Sequence, residues 1–373
     1  MQTRLQLLHS WTSQLQQRLP AVRLTRVRVL ALVSLGLIWA ESTALVRMAA
    51  SLPLGVQDLS TERRLRRWLT TAHLDVAQCW DPVAQALVAR QGQREVLLVL
   101  DPTTQTRVAT IVVLGLVVHK RVLPLAWKVM PQQTAWEESQ QAVIAKLCRR
   151  VAAVLPLGTT VTLVADSGLT SVALLDLCTA LGWHAVLRLS VDAQQGVHMR
   201  LADGTICPAW HLVRGKRQRW FGTVDTYKAH GWRRVELSIV WPRRFAQPWV
   251  LLSDRPAGPA RVREYRRRMR IEAFFEDCKG RGWDIERSKL TDRTRLDRLL
   301  LGVALASWWL ALLGLRVMRR GYRRWFDRPE RRDLSVARLG RRWLGYLLER
   351  DHLPPLPFRW CASLHRWTCR WAF

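Results

Sequence analysis

Three carboxylates stand in this sequence where they can work together. Asp101 closes the apolar run REVLLVLD at 94–101, Asp166 closes TVTLVAD at 160–166, and Glu272 lies inside YRRRMRIEAFFEDCK at 265–279. An aspartate at the end of a buried strand is held on a rigid element yet opens toward the sheet edge, where ligands of α/β folds bind. On a regular helix at about 100° per residue, Tyr265, Arg268, Glu272 and Lys279 share a sector of about 60°. Ile271, Phe274, Phe275 and Cys278 cover much of the other side and can dock on a sheet. A carboxylate flanked by Tyr, Arg and Lys suits a metal ligand bordered by groups that hold phosphates. The blander alternative is that each aspartate caps a strand and that Glu272 and Glu276 pair with neighbouring arginines. Glu276, one turn past Glu272, is the rival third carboxylate.

The elements that position these residues follow from texture. Residues 1–90 show helical periodicity with basic faces such as TERRLRRWL at 61–69, broken at Pro20 and Pro53. From Arg94 the pattern turns β-branched and aliphatic, predicting strands at 94–101, 110–120 and 121–130. A helix at 137–155, a strand at 160–166, a helix ending at Gly182 and a strand at 184–189 complete a mixed α/β sheet. Short strands with turn residues between 190 and 252 predict an inserted β unit holding Trp210, Trp220, Trp232, Trp241 and Trp249. After Pro259 the chain is helical again.

Composition narrows the partner. The 373 residues are 49% hydrophobic, enough for a large core, and 59 basic against 29 acidic residues give a net charge of +30. Such a surface concentrates polyanions, nucleic acid first. Only seven of the basic residues are lysine, so part of the arginine count reflects composition and not function. Seven scattered cysteines with no C-x-x-C pair argue against a disulfide framework or zinc ribbon, which fits a reducing cytoplasm. Cys361, His365 and Cys369 match no common zinc site. The apolar run at 29–40 is too short for a signal peptide followed by Glu41 and Arg47. The charge-free stretch LLLGVALASWWLALLGL at 299–315 reads as a buried core helix, with a membrane span as the alternative.

Tyr265, Arg268, Glu272 and Lys279 fit Y-x2-R-x3-E-x6-K, and with RIEAFF inside it the string resembles the DDE transposases of bacterial insertion sequences, specifically the insertion-sequence-4-like group. The resemblance spans roughly 94–315 and implies an RNase H-like catalytic domain at 91–317, its β insertion at about 190–252, behind a helical basic DNA-binding module at 1–90. The basic, Trp/Arg-rich region 318–373 would serve dimerisation or DNA contact. It implies Asp101, Asp166 and Glu272 as catalytic ligands of two magnesium ions, replaceable by manganese, with Asp101 between the two. Tyr265, Arg268 and Lys279 would contact DNA backbone. Trp249-Val250-Leu251-Leu252 matches the family's Trp-x-Leu-Leu strand, whose ring stacks on a base turned out of the helix during hairpin formation. One departure stands out: Asp166 is followed by Ser167-Gly168-Leu169, where the family commonly has Arg-Gly and an aromatic residue.

The function so implied is a transposase that binds its element's terminal inverted repeats, cleaves there and joins the 3′ ends to target DNA, acting as a homodimer on DNA in the cytoplasm, nucleoid-associated, with no membrane partner. The alternatives are a basic DNA-binding protein without catalysis and a membrane-associated protein built on 299–315.

Overall fold

The computed structural model describes residues 2–92, 94–105, 109–132, 134–191, 197–279 and 282–359. Cys361, His365 and Cys369 lie outside them, as does the end of the 318–373 region. Helices α1 (Gln2–Arg18), α2 (Leu24–Ala40), α3 (Leu45–Ser51), α4 (Asp58–Thr70) and α5 (Val76–Ala89) occupy the expected helical segment. On α4, Thr61, Leu65, Trp68 and Leu69 are buried while Arg63, Arg64, Arg66 and Arg67 are exposed, which is the amphipathic pattern of a helix docked on one side.

The meander follows as β1 (Glu95–Gln105), β2 (Ala109–Val118) and β3 (Arg121–Pro131). Then come α6 (Gln140–Val154), β4 (Thr160–Ala165), α7 (Val172–Ala180) and β5 (His184–Leu189). Ser139 and Ser171 accept backbone N–H bonds at the starts of α6 and α7, which sets where those helices begin. Strands β1, β2 and β3 are antiparallel to one another, while β4 runs parallel to β1 and β5 parallel to β4. The order β3-β2-β1-β4-β5, flanked by helices, is an RNase H-like mixed sheet. Its edge strand β3 carries Pro124, and indole N–H groups of Trp308 and Trp80 bond the Pro124 and Leu125 carbonyls, covering an edge that would otherwise invite pairing.

The β insertion is hydrogen-bonded into this sheet while packing a second cluster of its own around Met199, Val224 and Leu237. Strands β6 (His198–Arg200), β7 (Ile206–Pro208), β8 (Arg219–Thr226), β9 (Arg233–Val240) and β10 (Trp249–Ser253) extend it in the order β5-β10-β9-β8-β6-β7. The reason is that β10 returns antiparallel onto β5, pairing Val250 with Leu189 and Ser253 with Val186. The inserted strands therefore grow outward from β5.

Helices α8 (Pro259–Arg266), α9 (Ile271–Cys278), α10 (Arg293–Arg319), α11 (Arg323–Phe326) and α12 (Val336–Glu349) end the chain. All of 299–315 is buried, packed among α2, α12 and β3. The helix is long and apolar enough to cross a membrane, yet 94% of its apolar window lies inside the protein. Gly314 and Gly340 let the backbones of α10 and α12 touch, since a Cβ on either would overlap a main-chain carbonyl of the other helix. Helices α1–α5 belong to the same core: Trp11 packs on Trp309 and bonds Ser34, and Arg298 donates to the Leu69 carbonyl at 2.7 Å.

Candidate active site

The last parallel pair between β1 and β4 is Leu100 with Ala165. Asp101 and Asp166 are the next residue on each strand, so adjacent strands deliver two carboxylates side by side at the end of the parallel ladder. Strand β1 runs four residues further than expected, with Asp101 opposite Val113 on β2. Asp101 thus sits where the parallel pairing stops, inside the strand, while Asp166 begins the turn before α7. That turn is tied by the Leu169 N–H and the Thr170 hydroxyl, both donating to the Asp166 carbonyl.

The helix expected over 265–279 is not regular. Helix α8 tightens into a 3₁₀ turn at Arg267–Arg270 before α9 begins. Tyr265, in the last turn of α8, and Arg268, in the 3₁₀ turn, both point inward. Lys279 is exposed and already extended beyond α9, so the single face of four residues does not form. Tyr265 and Arg268 are buried against the aspartates and do not lie on an open DNA-facing surface.

One guanidinium joins the pair. Arg268 Nη1 donates to Asp101 Oδ2 at 2.6 Å, and Nη2 lies 3.0 Å from Asp166 Oδ2. Asp166 Oδ1 accepts from the Tyr265 hydroxyl at 2.9 Å, the Ser167 N–H at 2.9 Å and Arg188 at 3.3 Å. Burial pushes the Asp101 carboxyl up to about 6; Arg268 opposes this, and the charges of Asp166 and Glu272 add to it. Burial pushes Asp166 up too, but Arg268, the Ser167 N–H, Arg188 and the Tyr265 hydroxyl outweigh it and hold that carboxyl low. Burial raises the Tyr265 phenol to about 12, so it stays a proton donor to Asp166. Two adjacent carboxylates are thereby driven in opposite directions, a mark of functional sites.

Glu272 is exposed near the start of α9, and its charge reaches Asp101, whereas Glu276 is felt by Arg121 on the other side. Among the described residues no three acidic, histidine or cysteine side chains converge as a ready metal cluster. The two aspartates meet on the Arg268 guanidinium, and Glu272 acts on Asp101 through its charge. The donor set still suits magnesium: carboxylate oxygens only, and an aspartate pair already built around a positive charge.

Two arginines escaped the sequence reading. Arg188 on β5 puts a guanidinium beside Asp166 although Ser167 follows that aspartate, and its signal was one charge inside the apolar run HAVLRL. Arg121, 5% exposed, pairs with Asp277 and donates to the Ala273 carbonyl, fastening α9 to β3.

Trp249 is 3% exposed, edge-on to Tyr265 at 5.1 Å and to Phe245 at 4.8 Å. So placed, the ring is closed off by its neighbours and supports the tyrosine that bonds Asp166. Trp249→Ala is therefore expected to cost about 3–5 kcal/mol of stability and to slow nicking and any later step together. A melting curve beside a time course of both products checks this.

The pH dependence has a definite sign. Because the Asp101 carboxyl is raised from 3.8 to about 6, the folded chain holds that proton more tightly than the unfolded one. Its stabilising contribution, about 3 kcal/mol, is full below about pH 4 and lost as the pH rises through about 6. Asp101→Asn should melt progressively higher relative to the parent between about pH 4 and pH 7; a constant difference across that range would show an unperturbed carboxyl.

An RNase H-like sheet presenting paired aspartates under a strongly basic surface is the frame of a polynucleotide-processing enzyme. Residues 116–309 match the family described as the transposase DDE domain, just over half of the chain, and the protein belongs to that family. The matched segment contains Asp166, Trp249, Tyr265, Arg268, Glu272 and Lys279, and begins after Asp101. Nine chains of solved structures are similar, among them one from a cryo-EM structure of the piggyBac transposase synaptic complex with hairpin DNA, at 11% identity and a TM-score of 0.40, covering 92% of this chain and 76% of that one. No curated protein matches.

Proposed function

We propose that this DDE transposase belongs to the insertion-sequence-4-like group, binds the terminal inverted repeats of its own element, cleaves at the element ends and transfers the 3′ strands to target DNA. The observation that carries the reading is the placement of Asp101 and Asp166 side by side at the end of the β1–β4 ladder, with the charge of Glu272 acting on Asp101. Asp101, Asp166 and Glu272 are the catalytic carboxylates and would hold two magnesium ions, with manganese as a substitute. Bound there, the metal would supply an activated water or 3′-hydroxyl, a stabilised leaving oxygen and relief of charge at phosphorus.

The chain's own groups orient this centre. Tyr265, Ser167 and Arg188 fix the rotamer of Asp166 through its Oδ1, and Trp249 fixes Tyr265. Lys279, exposed past α9, offers a mobile positive charge to a phosphate. The arginines on the open face of α4 suit recognition of the element ends by residues 1–90, and 318–373 suits dimerisation on DNA. Cut-and-paste movement with a hairpin step fits the same group. Trp249 is the family's ring for a displaced base, and the half-buried Trp210, Trp220, Trp232 and Trp241 of the β insertion are further rings near the surface. The protein would act in the cytoplasm on nucleoid DNA.

The test is strand cleavage of DNA carrying the element's inverted repeats, with and without magnesium. Cuts at the repeat boundary that need the metal support the reading; tight binding with no cutting under any divalent ion favours a DNA-binding protein without catalysis.

A further inference from the structure

The cation that Asp101 and Asp166 share is the protein's own. Arg268 holds Oδ2 of both, at 2.6 Å and 3.0 Å, with its side chain 9% exposed. Its Nε–H, buried as well, has no acceptor among the described residues. A guanidinium offers five N–H donors, and leaving one unmet in a dry site costs part of what the two aspartates contribute. A phosphate oxygen or water reached by a different rotamer would satisfy what the present one leaves bare.

Arg268 takes one oxygen of each carboxylate, and Asp166 Oδ1 already accepts from Tyr265, Ser167 and Arg188, so a divalent ion shared by the two aspartates would compete with Arg268 for Asp166 Oδ2. A metal on the same Oδ2 atoms and the guanidinium nitrogens would overlap, and at such separation two cations repel strongly in a low-dielectric site. Resting on the reading of these three carboxylates as the metal site, we infer that Arg268 is an exchangeable counter-cation: it offsets the charge of Asp101 and Asp166 while metal is absent, and divalent metal gains the pair only by displacing it. The pair is thereby kept compatible with folding before metal or DNA arrives. Linkage then makes the exchange reciprocal: whatever draws the guanidinium away, a DNA phosphate above all, raises metal affinity, and metal in turn frees Arg268 for the phosphate.

The exchange is measurable without catalysis. Binding of manganese to the full chain is followed from loss of the free-ion paramagnetic resonance signal, at pH 8, with and without DNA carrying the element ends, for the parent, Arg268→Lys and Arg268→Gln. Without DNA, Arg268→Gln should bind manganese at least about tenfold tighter than the parent, with Arg268→Lys in between. DNA should tighten manganese binding in the parent and do so far less in Arg268→Gln. A folded Arg268→Gln that binds manganese no tighter than the parent, or more weakly, overturns the inference. If Arg268→Gln fails to melt cooperatively, Arg268→Lys decides on the same criterion. Asp101→Asn and Asp166→Asn report on the underlying site: if the parent's manganese binding survives both, the metal-site reading itself falls, and the exchange with it.

Discussion

Asp101→Asn and Asp166→Asn should each lower strand cleavage by about a thousandfold or more, roughly 4 kcal/mol of barrier, while leaving DNA binding nearly unchanged. The substitutions are close to isosteric, so the strand ends and Arg268 keep their places; what goes is the charge and one ligating oxygen. Carboxylates recessed between β1 and β4 carry no base-reading role, which is why affinity should persist. Single-turnover cleavage beside a binding titration and a melting curve separates the two effects. A folded Asp166→Asn protein that cleaves within about tenfold of the parent would remove Asp166 from the chemistry.

The second large effect is in salt. With a net charge of +30 and an open arginine row on α4, binding should be dominated by release of counterions from DNA. If six to ten phosphates are engaged, affinity should fall about 10³–10⁵-fold between roughly 50 and 200 mM salt. Neutralising Arg63, Arg64 and Arg67 should reduce the logarithmic salt slope by about 0.9 per lost phosphate contact and weaken preference for the inverted repeats, if residues 1–90 read them. Charge substitution is the right instrument, because α1–α5 share the core with α10 and their deletion would uncover Trp309 and its neighbours. A slope unchanged by the three substitutions would move recognition elsewhere.

Much of the frame was legible in the sequence for simple reasons. Strands β1–β5 are continuous apolar runs, and such runs must be covered on both faces, so their order and type could be read directly. Asp101 and Asp166 stood out because a charge directly after such a run is unusual. The stretch at 299–315 was legible as a buried helix, although only the packing of α2 and α12 against it shows what buries it. What was not legible depended on contacts distant in sequence. No local pattern announces that α8 tightens into a 3₁₀ turn, or that Tyr265 and Arg268 meet aspartates about a hundred residues or more earlier in the chain. Arg188 meets Asp166 only because β5 pairs with β4, and Trp249 is buried only because Phe245 and Tyr265 close over it. The β insertion merged with the sheet because β10 folds back onto β5, a pairing invisible to periodicity.

The most direct test of the account is a change of metal preference. Cysteine replaces a hard oxygen ligand by a soft thiolate, which magnesium accepts poorly and manganese accepts better. Asp101→Cys, Asp166→Cys and Glu272→Cys should each be inactive in magnesium and recover cleavage at the element end by about tenfold or more in manganese, while Glu276→Cys stays active in both. Cysteine variants at Asp101, Asp166 and Glu272 that fold and bind DNA but respond alike to the two metals would contradict the assignment of these three carboxylates as the metal-holding centre.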